Sequence, residues 1–171
     1  MEADIQLIVR WIHVIAGIAW IGILYFFNFV NVPLQGALDD AGKKAVNPQM
    51  MPRALWWFRW GAMVTFVAGL VLFYLMYMKG GLLHESGAGL SKRAKWIMTG
   101  MTLGTVMWFN VWFIIWPAQK KLLGGTAGDA AGALRKRAML ASRTNTFLSA
   151  PMLVGMVAGS HVPVNSLMMC I

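Results

Sequence analysis

The chain has 171 residues, of which 58% are hydrophobic and only 12% charged, with nine tryptophans and a net charge of +9. So few polar groups cannot cover a water-soluble fold of this size, and the surplus of cations beside apolar runs sets membrane topology or meets anionic headgroups rather than nucleic acid. A bilayer core about 30 Å thick asks for roughly 20 apolar residues per helix, so the test is whether the apolar residues come in blocks of that length.

The first block runs from Trp11 to Val30, interrupted by His13 and Asn28, and predicts a span over about 8–32. It is not read as a cleaved leader: Glu2 and Asp4 precede its first cation, Arg10, and no small-residue cleavage pattern follows. Arg10, His13, Gly17, Trp20, Leu24, Asn28 and Asn31 recur at spacings of three and four, within an arc of about 80°. The opposite face is Ile, Val and Phe, so this stripe is expected to look into a helix bundle.

The stretch from Pro33 to Arg53 is rich in turn residues, with Asn47-Pro48 and Pro52 as breakers and mixed charge, and is expected to be a solvated connection. Trp56 and Trp57 then mark a membrane interface ahead of the second span, about 56–79, whose block from Trp60 to Met78 has no charge. Arg59 is expected to reach the interface with its long stem in the apolar region. Gly80-Gly81 ends this helix, and His84 follows in a glycine-rich loop.

The third span, about 95–117, is bracketed by Trp96 and Trp116, with Asn110 as a polar residue to be buried. Over 128–142, Leu134, Ala138 and Ala141 share one face while Arg135, Lys136 and Arg137 lie elsewhere, which predicts a short basic amphipathic helix leading into the fourth span. That span, about 143–163, carries Asn145, Ser149, Met152, Met156 and Gly159 on one stripe and passes through Pro151. No strand alternation runs through the four blocks, so the expected fold is an all-α integral membrane four-helix bundle forming one domain.

Four spans put the first and third connections on one side, where Lys43, Lys44, Arg53, Lys120, Lys121, Arg135, Lys136, Arg137 and Arg143 collect. The positive-inside rule therefore turns both termini outward, to the periplasm for a multi-pass protein of a bacterial inner membrane. His13, His84 and His161 then share the outer side. The one cysteine, Cys170, excludes an internal disulfide and a C-x-x-C-H attachment of c-type haem.

An ionisable group within a bilayer costs about 2.5–3.5 kcal/mol on insertion scales, so the polar stripe of the first span needs a reason. An imidazole with a glycine one turn away can ligate haem iron while leaving room for the flat macrocycle, and Arg10 on the same face can pair with a propionate. The competing reading has His13 hydrogen-bonding a neighbouring helix and Arg10 reaching the headgroups. His13 with His161 is the preferred pair of axial ligands, with Gly17, Trp20 and Gly159 as pocket wall. Ideal helix geometry places His161 nearly opposite the Met152–Met156 stripe, so Met152, Met156 and, last, His84 are the rival ligands. Small-x-x-x-small patterns at Gly61, Thr65 and Gly69, at Gly100 and Gly104, and at Gly155 and Gly159 predict close helix packing.

The run from Arg10 through Trp11-Ile12-His13 and Ala16-Gly17 to Trp20-Ile21-Gly22, the following Tyr25-Phe26-Phe27-Asn28, and the late Arg143-Thr144-Asn145 to Ser160-His161 together resemble the N-terminal membrane module of bacterial membrane-bound urate oxidase. The likeness extends through Trp108-Phe109-Asn110-Val111-Trp112 and spans most of the chain. More remotely, the His-containing first helix with Trp20-x-Gly22 is similar to small membrane protoporphyrinogen oxidases and copper-resistance D-type domains. These resemblances imply haem b, carried most directly by His13 and next by His161. Membrane urate oxidases continue into a c-type cytochrome domain, whose motif is lacking here, so urate chemistry is not carried over.

The leading expectation is a haem b-binding subunit that takes electrons from quinol or another membrane donor and passes them to an outer carrier such as a periplasmic cytochrome c. The alternatives are a membrane oxidase of a porphyrinogen or purine-like substrate, against which the lack of a lysine in the third span counts, and an accessory subunit of a larger respiratory or oxygenase complex. Metal transport, prompted by the fourteen methionines, lacks a ladder of ligands across the membrane.

Overall fold

The computed structural model describes residues 1–84 and 89–161, and among these nearly every residue outside the short connections is helical. Four long helices follow in order: α1 Glu2–Ala37, α2 Asp40–Lys79, α3 Lys92–Leu123 and α4 Ala131–His161. The first three are long and apolar enough to cross a membrane. The fourth was expected to span as well, but it begins with Arg135, Lys136, Arg137 and Arg143 and turns Asn145 and Ser149 inward, which leaves it outside that apolar set. The expected amphipathic segment and fourth span are one continuous helix, whose buried Ala138 and Ala141 confirm the predicted inner face. Pro163 and Cys170 lie outside the described residues.

The stretch from Pro33 to Arg53 is not the expected open connection. It is helical except for Leu38 and Asp39, with Pro48 and Pro52 inside α2. Three local bonds explain how the helix starts so early: the Asp39 carboxylate caps it by accepting the Gly42 N–H at 2.7 Å, and the amides of Gln35 and Asn47 exchange two hydrogen bonds at 2.8 and 2.9 Å. The two prolines stand one turn apart, so the donors they lack fall on one side of the helix. At 1.5 Å per residue, helices of 32 to 40 residues run about 48–60 Å, well beyond a hydrocarbon core of about 30 Å.

In α1 and α3 the helix widens into a π turn at Phe26–Asn31 and at Asn110–Ile115. The residues just after them, Val32 and Trp116, bond five residues back, to Phe27 and Val111. Each is followed at once by a proline, Pro33 or Pro117, whose ring would strike the carbonyl four residues earlier in a regular helix. A third π turn, Tyr74–Lys79, ends α2, and Gly81 at φ +72° turns the chain away from it. An isolated bridge pairs His84 with Leu90, and Ser91 caps α3 by accepting the Ala94 N–H at 3.0 Å.

The bundle is two antiparallel pairs, α1 with α2 and α3 with α4, joined along a core of Trp20, Leu24, Phe58, Met107, Val111 and Met152. At mid-length a polar layer ties the pairs together. Asn110 donates to Asn145 Oδ1 at 2.8 Å, and Asn145 donates to the Met107 carbonyl at 2.9 Å. The Ser149 hydroxyl gives its proton to the Thr146 carbonyl at 2.7 Å, so the Tyr25 hydroxyl donates to Ser149 Oγ at 2.8 Å. Asn145 and Ser149 are fully enclosed, and these bonds satisfy groups that would otherwise be costly to bury.

Candidate functional site

His13 lies on α1 against α2. Its Nδ1 stands 2.8 Å from the Thr65 carbonyl oxygen, which can only accept, so Nδ1 carries the proton and the lone pair of the neutral ring is on Nε2. That is the tautomer of a metal-ligating histidine oriented by a backbone carbonyl. Gly69 makes the approach: a Cβ there would meet His13 Cε1 at 3.0 Å and Nδ1 at 3.3 Å. One turn from His13, Gly17 faces the Thr65 methyl, while Thr65 Oγ1 bonds the Gly61 carbonyl at 2.7 Å.

His13, Gly17 and Trp20 line a cavity of about 570 Å³ in the half of the bundle nearer the N-terminus, within the range of small-molecule sites. Its other walls are Tyr25 on α1, Thr65, Phe66 and Gly69 on α2, Met101, Gly104 and Thr105 on α3, and Met152, Met156 and Val157 on α4. The lining is apolar apart from the imidazole and hydroxyl groups. Gly104 keeps the wall flat before Met152 and Met156: a Cβ there would sit 3.9 Å from each side chain. The indole N–H of Trp20 is buried with no acceptor among the described residues, a polar group that the wall alone leaves unsatisfied.

The expected partners of His13 fall in different places. Met152 and Met156 share its cavity, whereas His161 is exposed at the end of α4, with Nδ1 3.1 Å from the carbonyl of Val157 one turn back, and does not line it. Because α4 stays helical through His161, that side chain keeps the phase opposite the Met152–Met156 stripe that ideal geometry gives it. Gly159 faces Arg93 rather than the cavity: a Cβ there would meet Arg93 Cγ at 3.1 Å. His84 sits in its bridge near the chain reversal, with Nδ1 3.3 Å from the Gly89 carbonyl. Arg10 is exposed one turn outward from His13, where its guanidinium reaches Met76 Sδ at 3.3 Å. Among the described residues, no three His, Cys, Asp or Glu side chains converge.

The bond from His13 to Thr65 is the hydrogen bond to a neighbouring helix that the competing sequence reading expected, although the spacing places Thr65 and Gly69 only on a small-residue face and does not single them out as its partners; Met101 was missed as a wall residue. A second cavity went unforeseen. It lies in the other half of the bundle, beyond the Asn110–Asn145 layer, has a volume of about 730 Å³, and takes walls from all four helices. Arg59, expected at the interface, is held by tryptophans, with its guanidinium carbon 3.9 Å from the Trp116 ring centre and 5.3 Å from those of Trp60 and Trp112.

A family model described as urate oxidase N-terminal matches this chain over residues 2–43, 35–86 and 82–168. No curated protein and no solved structure matches it.

Proposed function

The chain belongs to the urate oxidase N-terminal family, and from that premise and the His13 cavity we propose that it is a haem b-binding electron-transfer module of a bacterial inner membrane. The observation that carries the reading is the Nδ1 bond to the Thr65 carbonyl, which fixes the imidazole and leaves Nε2 as a free donor beside an apolar cavity. The donor set is one imidazole with thioethers opposite, and no cluster of three ligating side chains is found among the described residues. That suits an iron that brings its own in-plane ligands better than a bare ion.

His13 would hold the iron, Met152 or Met156 would face it from α4, and Gly17, Gly69 and Gly104 would leave room for a flat ring. Arg10, one turn nearer the N-terminus, would pair with a propionate. The haem would supply a one-electron couple, and a thioether as second ligand would set its potential higher than a second imidazole would. The apolar walls would give the ring a low-dielectric setting suited to electron exchange. In this reading α4 is a fourth span, both termini face outward, and the acceptor is a periplasmic cytochrome c or a larger complex, with quinol as the membrane donor.

The test is the visible spectrum of the purified protein. Reduced bands of a b-type haem should be present, His13→Ala should remove them, and His161→Ala should leave them in place. Wild-type protein that stays colourless after expression with ample haem would leave an accessory packing subunit as the better account.

A further inference from the structure

The second cavity has a chemistry of its own. Its floor is apolar, built from Phe58 and Ile115 among others, and its mouth carries Lys43 of α2 and Arg135 of α4. Neither cation has a carboxylate or hydrogen-bonded partner among the described residues. Asp40 is the one carboxylate in the lining, so the mouth carries two cations against one anion, and the positive end of α2 begins there as well. Asn31, Gln35 and Asn47 form one side. Gln35 donates to Asn31 Oδ1 at 3.2 Å and exchanges bonds with Asn47, which fixes these amides in place.

The position is as telling as the composition. The helices outrun a bilayer core, so this cavity falls where the hydrocarbon gives way to the headgroups on the cation-rich side. A neutral polar guest would leave Lys43 and Arg135 uncompensated beside an apolar floor, while a purely apolar guest would bury them further from water.

We propose that the cavity between the Lys43 and Arg135 cations and the Phe58 floor binds an oxyanion carried on an apolar body, a phosphate or carboxylate with a hydrocarbon tail. The oxyanion sits between the two cations, and the tail runs down toward Phe58 and Ile115. The net excess of one positive charge selects a single negative charge over a multiply charged guest. Such a molecule enters either from the leaflet, as an anionic lipid, or from the aqueous side, as a soluble fatty or aryl carboxylate.

The purified full chain in bilayer discs of mixed phosphatidylglycerol and phosphatidylcholine, analysed by mass spectrometry of released complexes, reads the lipid source. Titration with octanoate reads the soluble one. Wild type should retain phosphatidylglycerol over phosphatidylcholine, bind octanoate saturably, or both, and Lys43→Gln with Arg135→Gln should weaken that binding at least tenfold. Lys136→Gln with Arg137→Gln removes the same charge from positions that do not line the cavity, and should leave binding unchanged. If the first pair does not fold, Arg135→Gln alone, at an exposed position, serves the same comparison. Equal losses in both double variants, or a wild type that prefers neither probe, would overturn the proposal.

Discussion

The two helix pairs solve the same packing problem in opposite ways. Between α3 and α4 the backbones touch: a Cβ on Gly155 would lie 2.7 Å from the Gly100 nitrogen, and one on Gly100 would lie 2.9 Å from the Met156 nitrogen. Between α1 and α2 close approach is confined to Gly61, whose Cβ would stand 3.3 Å from the Trp20 nitrogen, and nearer the N-terminus His13 and Thr65 hold the helices at side-chain distance. The second pair closes backbone to backbone at Gly100 and Gly155, while the first sets an imidazole between its helices beside Gly69. Small residues at an interface therefore carry two different meanings, which only the partner atoms distinguish.

Four substitutions would break or sharpen that contrast. The largest effect is expected from Gly155→Ala, where backbone on both sides cannot yield; a loss of about 3 kcal/mol or more, or failure to recover monodisperse protein, should show in thermal unfolding in detergent. A value near zero would mean that the pair is not closed on its backbone. Next comes Asn145→Ala, which orphans the Asn110 amide and takes the side-chain donor from the Met107 carbonyl in a buried layer, for about 1–3 kcal/mol by the same assay.

Gly69→Ala should cost less stability than Gly155→Ala, because its Cβ would press on an imidazole ring rather than on backbone, but it should disturb the His13 bond to Thr65. In the haem reading it shifts or weakens the bands while the protein remains folded, so bands that match wild type would count against His13 as ligand. The smallest change is expected for Gly17→Ala, whose Cβ would make ordinary contact with the Thr65 methyl at 3.7 Å. Its stability in the same assay should match wild type within about 0.5 kcal/mol, and a larger loss would show the first pair to be as tight as the second.

Much of this was legible in the residues. Charge-free blocks fixed the first three helices, and the three-and-four spacing from Arg10 to Asn31 identified the inward face of α1, where Trp20, Leu24 and Asn31 are indeed buried. What escaped depended on contacts between distant residues. Pro48 and Pro52 read as breakers because the Gln35–Asn47 pair, which reaches across the break at Leu38 and Asp39 and helps start the helix ahead of both prolines, joins side chains 12 residues apart. The phase of α4 already opposed His161 to the methionine stripe, and the regular helix keeps it so. The second cavity had no motif at all, since Lys43 and Arg135 lie on different helices and become neighbours only when the bundle closes.

The widened turns before Pro33 and Pro117 bear on how this chain tolerates change in length. A π turn is a surplus residue absorbed without a loop, so it sets the angular phase between the two halves of its helix. Deleting one residue within Phe26–Asn31 would restore ordinary winding and leave the segment beyond it close to its present face, whereas the same deletion in a regular stretch of the helix would rotate that segment by about 100° relative to His13. Asn31 and Gln35 would then stay beside the second cavity while His13 kept its place on the first, which makes this short segment the point where the rod takes up a change in length without unscrewing its two ends.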